Sequence, residues 1–287
     1  METAEQKKKK AIVVLAMLAA FDVILWSLAL APSASGEIAL YALDVGQGDS
    51  GFVELGGGVQ MLVDGGPNAK VLSALGKVVR SNDRYIDLVM LSHPQLDHFG
   101  GLVDVLKTYD VGMVITSGRE GTTRAYEEFA ETIRERGIPW IALGEGDRIS
   151  YGDASFTVLS PSPARLRDKE LNETSLVVRL DAPGFSVLFT GDIGAKTEAA
   201  LAGKYDLRAD VLKAPHHGSK FSSTAAFLRD VAPAVATIGV GKNTYGHPTA
   251  AALDRLAAVG AQIFRTDTQG TIKIAPGSGA FKVFSLR

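Results

Sequence analysis

The chain has 287 residues, enough for one large domain or two small ones. Its formal net charge of −2 excludes a globally basic surface, so any contact with nucleic acid has to come from a local patch of cations. Cysteine is absent, which excludes disulfides, thiolate metal ligands and cysteine nucleophiles within this chain.

The N-terminal end differs in kind from the rest. Lys7 to Lys10 form a basic run, and residues 11–31 follow as an apolar stretch with Asp22 as its only charge. About 20 apolar residues suffice to cross a bilayer. Lysines ahead of such a stretch favour a cytoplasmic N-terminus, which leaves the remainder outside the cytoplasm. The expected organisation is a basic cytoplasmic segment (1–10), one transmembrane anchor (11–31), a linker PSASG (32–36) and one folded domain (37–287). A cleaved secretory signal competes with the anchor, because Ala29-Leu30-Ala31 resembles a small-residue cleavage site. A buried core helix fits less well with the lysine run and the abrupt change in composition. Length favours an uncleaved anchor, although Asp22 costs roughly 3 kcal/mol near mid-membrane.

From Glu37 onward, short apolar runs alternate with glycine-rich turns. Ile38 to Leu43 reads as a strand, and Ser50 to Leu55 with Val59 to Val63 reads as a hairpin around three glycines. Asn68 to Arg80 has helical spacing, Ile86 to Leu91 is a very apolar strand, and Leu102 to Thr108 is helical. A strand (Val111 to Thr116), a helix (Arg124 to Arg136) and an outer hairpin (Ile149 to Leu159) follow. Leu176 to Leu180, Ser186 to Thr190 and Val211 to Lys213 are strands. Thr224 to Asp230, Val235 to Gly239 and Thr249 to Val259 then run helix, strand, helix. Ile263 to Thr266, Thr271 to Ala275 and Phe281 to Phe284 close the chain as strands. Strands with interleaved helices imply a layered α/β domain.

The chemistry-bearing residues fall where strands end. All five histidines (His93, His98, His216, His217 and His247) lie just after expected strands or in turn-rich segments, where functional groups are usually mounted. SHPQLDHFGG at 92–101 brings His93, Gln95, Asp97 and His98 within six residues. Imidazole and carboxylate are ligands for Zn²⁺, Mn²⁺ or iron. LFTGDIG delivers Asp192 from a strand into a glycine turn, and a carboxylate can bridge two cations. LKAPHHGS ends a strand in the adjacent pair His216 and His217, one able to ligate while the other faces a substrate. Each segment alone is also compatible with a solvated loop; their joint position at strand ends, in a chain with few histidines, favours a metal site.

Together these segments resemble the metallo-β-lactamase superfamily, and most closely the hydrolase domain of the ComEC-like competence DNA-uptake family. The resemblance rests on LDVGQGDS (43–50), VDGG (63–66), SHPQLDHFGG, NETSLVV (172–178), TGD (190–192), LKAPHHGS, NTYGHP (243–248) and RTDTQG (265–270), in that order. It covers about Leu40 to Ile274 and implies an αββα sandwich. Carried over by position, Asp97, His98, Asp192 and His217 would hold one divalent ion, zinc or manganese. His93, Gln95 and Asp192 would hold a second. Gln95 stands where the family usually has His or Asp, and a neutral amide is a weaker ligand, so one tight ion and one weak or substrate-recruited ion are expected. Asp97, Asp192 and His216 are the expected catalytic groups. Asp64 would orient an imidazole from beneath. Asn172 lies near the place of a third ligand, and Asn243 and His247 would line the pocket. Lys213 and Lys220, with Lys242 and Arg265, could form a local cationic patch for a phosphate backbone.

The resemblance implies a nuclease acting on one DNA strand outside the cytoplasm, held at the membrane by the N-terminal helix. With only one candidate membrane segment, such a chain would serve beside a separate DNA-uptake channel protein. A phosphodiesterase of the phosphorylcholine esterase type is a second enzymatic reading. A degenerate binding module without turnover is a third, favoured by Gln95.

Overall fold

In the computed structural model, residues 12–22, 38–279 and 281–286 are described. The chain divides into two compact units, 1–36 with 56–58, and 37–55 with 59–287. In the first, residues 12–22 form a helix, α1, exposed along its whole length. The rest of the expected anchor (Ala11 and 23–31) and the linker 32–36 lie outside the described residues. Among the described residues no helix is long and apolar enough to cross a membrane.

The second unit is built on two facing sheets. The first has the order β15-β14-β1-β2-β3-β4-β5-β6. Its strands are β1 (Ala39–Ala42), β2 (Gly51–Glu54), β3 (Gln60–Val63), β4 (Tyr85–Leu91), β5 (Asp110–Thr116), β6 (Trp140–Ala142), β14 (Thr271–Ala275) and β15 (Lys282–Leu286). The second has the order β13-β12-β11-β10-β9-β8-β7. It comprises β7 (Arg148–Tyr151), β8 (Ala154–Ser160), β9 (Val177–Ala182), β10 (Phe185–Phe189), β11 (Val211–Lys213), β12 (Val235–Ile238) and β13 (Gln262–Arg265). Helices α2 (Lys70–Leu75), α3 (Leu96–Thr108) and α4 (Arg124–Glu135) cover the first sheet, and α5 (Ala195–Leu201), α6 (Ala225–Val231) and α7 (Ala250–Ala258) cover the second. A single turn of helix, α8 (Thr266–Gln269), joins β13 to β14.

The strand sequences account for these layers. β1 reads ALYA and is buried on both faces. Ala39 and Tyr41 pack under the first helical layer, while Leu40 and Ala42 enter the core between the sheets. β11 divides likewise, Val211 turning inward and Leu212 towards α6 and α7. A strand covered on both sides has to be apolar at every position, because each fully buried Val or Leu contributes about 1.5–3 kcal/mol. The αββα arrangement implied by the motifs is the one observed.

In the first sheet β3, β4, β5 and β6 are parallel, as are β10, β11, β12 and β13 in the second. Parallel strands present their carboxyl ends together, which is where open α/β sheets place ligand sites. β3 ends before Asp64, β4 before Ser92 and His93, β10 before Asp192, and β11 before His216 and His217.

Three local features differ from the sequence expectation. α3 begins at Leu96, not Leu102, so Asp97 and His98 occupy its first helical turn and not a tight loop. The pair Gly100-Gly101 is no helix breaker; it lets the 65–68 loop lie against the helix. A Cβ on Gly100 would stand 2.2 Å from the Pro67 carbonyl oxygen, and one on Gly101 2.2 Å from that of Gly65. β6 and α5 were not anticipated, since the short edge strand carries only Trp140-Ile141-Ala142 and α5 follows directly on a glycine turn.

Gly101→Ala is expected to lower the unfolding free energy by about 1–3 kcal/mol through overpacking, although alanine is the better helix former by about 1 kcal/mol. A shift of the urea midpoint to lower concentration checks this; an unchanged midpoint would show that the loop can yield without loss.

Candidate metal centre

Asp64 sets the first imidazole. It follows β3 with φ 59°, a left-handed conformation that costs a non-glycine residue about 1–3 kcal/mol and aims the side chain back under β4. Its Oδ1 accepts from Ser92 N (2.7 Å), and its Oδ2 accepts from Ser92 Oγ (2.8 Å) and from His98 Nδ1 (2.9 Å). With its Nδ1 proton spent there, His98 turns Nε2 towards Asp192 Oδ2, 3.4 Å away. Having donated to Asp64, Ser92 Oγ accepts from His93 Nδ1 at 3.0 Å. That leaves a bare Nε2 on His93, buried and without a hydrogen-bond partner. The His93 and His98 rings lie 4.2 Å apart.

His216 and His217 sit in a 3-10 turn whose backbone is left-handed at both residues (φ 52° and 51°). This turn sends adjacent imidazoles in different directions, with ring planes 75° apart. His217 goes inward. Its Nδ1 donates to Gly239 O (2.8 Å), and its Nε2 faces Asp97 Oδ2 and Asp192 Oδ2, both at 3.2 Å. His216 goes outward, with both ring nitrogens 3.4 Å from Asn172 Nδ2.

Electrostatics tie the groups together. Burial works against a charge on His98, but the carboxylates of Asp192 and Asp64 outweigh it and lift its pKa to about 10. His217 is also raised well above the ordinary histidine value, Asp192 and Asp49 overcoming its burial. For His93, burial and the neighbouring His98 press the pKa down to about 4. Asp97 is held at about 2, its burial outweighed by His217 and His98. Lys213 is a largely enclosed counter-ion, its side chain 12% exposed, and not a surface cation. Its Nζ contacts Asp49, lies 3.1 Å from Asp192 Oδ1 and donates to Gly191 O at 2.6 Å. Asp49, not singled out in the sequence, is 5% exposed and faces both Lys213 and His217. The only sequence signal for it is a carboxylate inside the glycine turn GQGDS.

The remaining expected residues divide into two groups. Gln95, Asn172, His216 and His247 line a cavity of about 520 Å³, together with Asp97, Asp192 and His217 at its floor. Gln95 Nε2 donates to Asn172 Oδ1 at 2.6 Å. Asn243 does not line this cavity; its amide braces the loop around it, with Nδ2 donating to Gly241 O and His247 O. Lys220 lies over the exposed Phe221 ring, 5.0 Å from its centroid, and Arg265 pairs with Asp267 at 2.7 Å. Among the described residues no lysine or arginine lines the cavity, so the expected cationic patch is not formed there.

These residues fit a divalent cation. One ligand atom each from Asp49, His98, Asp192 and His217 lies within 4.8 Å of the others, all four residues being buried. His98 Nε2 borders Asp192 Oδ2 at 3.4 Å, and His93, whose ring lies 4.2 Å from that of His98, leaves its Nε2 buried without a partner. A buried imidazole lone pair without a partner is costly, and a cation relieves it while offsetting the carboxylate charge.

Comparison with known proteins agrees with this geometry. Residues 43–242 match the family model described as the metallo-beta-lactamase superfamily. The chain is 30% identical over 272 residues to ComE operon protein 3 of Bacillus subtilis, covering 87% of this chain and 34% of that protein. It is 32% identical over 254 residues to competence protein ComA of Neisseria gonorrhoeae, covering 88% and 34%. The chain thus spans about a third of the length of these relatives. Among solved structures, YhfI of Bacillus subtilis aligns with a TM-score of 0.57 at 14% identity, over 83% of this chain and 99% of that one. Zn²⁺-bound PqqB of Methylobacterium extorquens aligns with a TM-score of 0.51 at 14% identity, over 84% and 88%. At such identities these two show the fold alone.

A bound ion requires bare Nε2 atoms, whereas His98 and His217 are both protonated at neutral pH without one. Ion uptake at neutral pH is therefore expected to release a proton from each, and affinity to climb with pH up to about 10 as His98 deprotonates. Titration calorimetry in buffers of different ionisation enthalpy reads the protons released; none released would remove both imidazoles from the site.

Proposed function

The chain belongs to the metallo-β-lactamase superfamily, and we propose that it is a divalent-metal-dependent phosphodiesterase that cleaves single-stranded DNA. The observation that carries this is the convergence of two imidazole Nε2 atoms and the Asp97 and Asp192 carboxylates on the floor of an open cavity. The curated relatives support DNA as the substrate through their names, which refer to competence and, for a further one from Haemophilus influenzae at 31% identity, to recombination. Both Zn²⁺ and Mn²⁺ suit a mixed imidazole and carboxylate donor set, and the structural neighbour PqqB is Zn²⁺-bound.

Asp49, His98, Asp192 and His217 would hold the divalent ion, which when bound would supply the Lewis acidity that activates water near neutral pH. The chain's own groups do the rest. Asp192, 1% exposed and fixed through Oδ1 by Lys213, presents Oδ2 to the ligand cluster. Asp97 is the accessible carboxylate, its side chain 31% exposed, and stays ionised to accept a hydrogen bond from the attacking water. His216 faces the cavity with its pKa lowered by burial and by the adjacent His217, so it is neutral near pH 7. Its N–H can hydrogen-bond the leaving oxygen. Gln95 and Asn172, which occupy the remaining positions of the second ion, are bonded to each other. One tight ion per chain is the consequence. The same bond favours the binding module as a second reading.

We further propose a tether through residues 11–31 with the domain outside the cytoplasm, supported by the lysine run ahead of that apolar stretch. A separate DNA-uptake channel protein is the partner this arrangement suits.

Elemental analysis of the purified chain is expected to find one tightly held ion, lost in Asp192→Ala together with cleavage of single-stranded DNA. Cleavage retained in that variant would overturn the site. Turnover of a chromogenic choline phosphodiester without DNA cleavage would move the substrate to a small head group, and a bound ion without turnover of either would favour the binding module. Gln95→His is expected to raise the metal content above one ion per chain; unchanged content would place residue 95 outside the ligand set.

A further inference from the structure

A phosphodiesterase cavity ordinarily meets its substrate with cations, and this one does not. Among the described residues, none of those lining it is lysine or arginine. Lys213 is enclosed against Asp49 and Asp192, Lys220 stacks on Phe221, Arg265 is paired with Asp267, and Lys242 is exposed elsewhere on the loop. Beyond the metal centre, affinity for a nucleotide has to come from something other than charge.

The rim offers a ring. Tyr245 lines the cavity yet is 72% exposed. The loop that carries it is fixed from within. Asn243 Oδ1 accepts from the backbone N of Tyr245 and of His247, both at 3.0 Å, and Asn243 Nδ2 donates to Gly241 O and His247 O. The Tyr245 ring lies 5.8 Å from that of His247, tilted by 31°, and His247 meets His216 edge-on at 5.5 Å. Three rings thus run from solvent into the cavity and end at His216. A single exposed aromatic is common on protein surfaces. A rigidly presented one, continuous with the site and bordering a cavity with no lysine or arginine among its described lining residues, is a platform for a planar ligand.

We propose that Tyr245 is a base-stacking subsite, on which the nucleobase beside the scissile phosphate lies, so that single-stranded DNA is recognised by stacking and not by backbone charge. This rests on the phosphodiesterase function above and specifies how that site selects its substrate. A base has to be unpaired and unstacked to offer its face to the tyrosine, so duplex DNA is rejected without a steric gate. Stacking is tolerant of sequence, because every base has a π-face. Few counterions are displaced when few cations touch the phosphates, so binding depends only weakly on salt.

The test is steady-state cleavage by the full chain of a thymidine oligonucleotide and of a wholly abasic one of equal length. Tyr245→Ala is expected to raise KM for the thymidine oligonucleotide roughly ten- to a hundredfold with little change in kcat. Tyr245→Phe should retain the wild-type KM, and on the abasic oligonucleotide wild type and Tyr245→Ala should coincide. KM should change less than about threefold between roughly 50 and 200 mM salt. An equal KM for wild type and Tyr245→Ala on thymidine, or an equal loss on both substrates, would overturn the stacking subsite and leave the phosphodiesterase intact. A wild type that neither cleaves nor binds the oligonucleotide with Mn²⁺ or Zn²⁺ would overturn both.

Discussion

Four carboxylates share a small volume at the carboxyl ends of two facing sheets, and the geometry around them follows from the need to offset their charge. Asp49 and Asp192 are held by Lys213. Asp64 is satisfied by Ser92 and His98, and Asp97 faces His217. Buried charge of one sign is tolerated only when it is paired and hydrogen-bonded. One enclosed ammonium does not balance four carboxylates, and the surplus is what lifts His98 and His217 above the ordinary histidine range. The centre seeks a cation whether that cation is a proton or a metal ion.

The backbone bears part of the cost of bringing these groups together. Asp64, His216 and His217 are left-handed without being glycine. Asp64 stands directly after β3 and the two histidines follow β11 after Ala214 and Pro215, and each uses the reversed turn to send its side chain somewhere a regular turn would not. Neighbouring bonds hold the strained loops in place: Gly65 N donates to His98 O, Gly66 N to Asp49 O, and Asp49 N to Asp97 O. Strain of this kind persists only where the surroundings over-determine it, and here the three motif loops determine one another.

Much of this was legible in the sequence, for a physical reason. Strands buried on both faces are largely apolar, so Ile86 to Leu91, interrupted only by Asp87, and Val211-Leu212 announced themselves, and the polar residues after them marked the strand ends. What escaped were residues whose role depends on a distant partner. Lys213 reads as a surface cation until Asp49 and Asp192 are found on either side of it. Asp49 reads as a turn residue until Lys213 is found. Gly100 and Gly101 read as the end of a loop, because close approach of another segment leaves no local trace. Tyr245 passes unremarked inside NTYGHP, since nothing nearby in sequence says that it faces a cavity.

The pairing of β1 has a consequence for how the domain is made. β1 lies between β2 and β14, and Leu40 stands opposite Ile274. The first strand of the domain therefore keeps one edge unpaired until almost the whole chain has left the ribosome. An apolar strand with an open edge invites pairing with another chain, and contacts so far apart in sequence form slowly. During synthesis the hazard lies in this waiting edge, on the far side of the sheet order from the parallel strands that carry Asp64 and His93. A chain cut short before Thr271 would keep all of its metal ligands and lose the cover of its first strand, so it would be lost to aggregation before it was lost to chemistry.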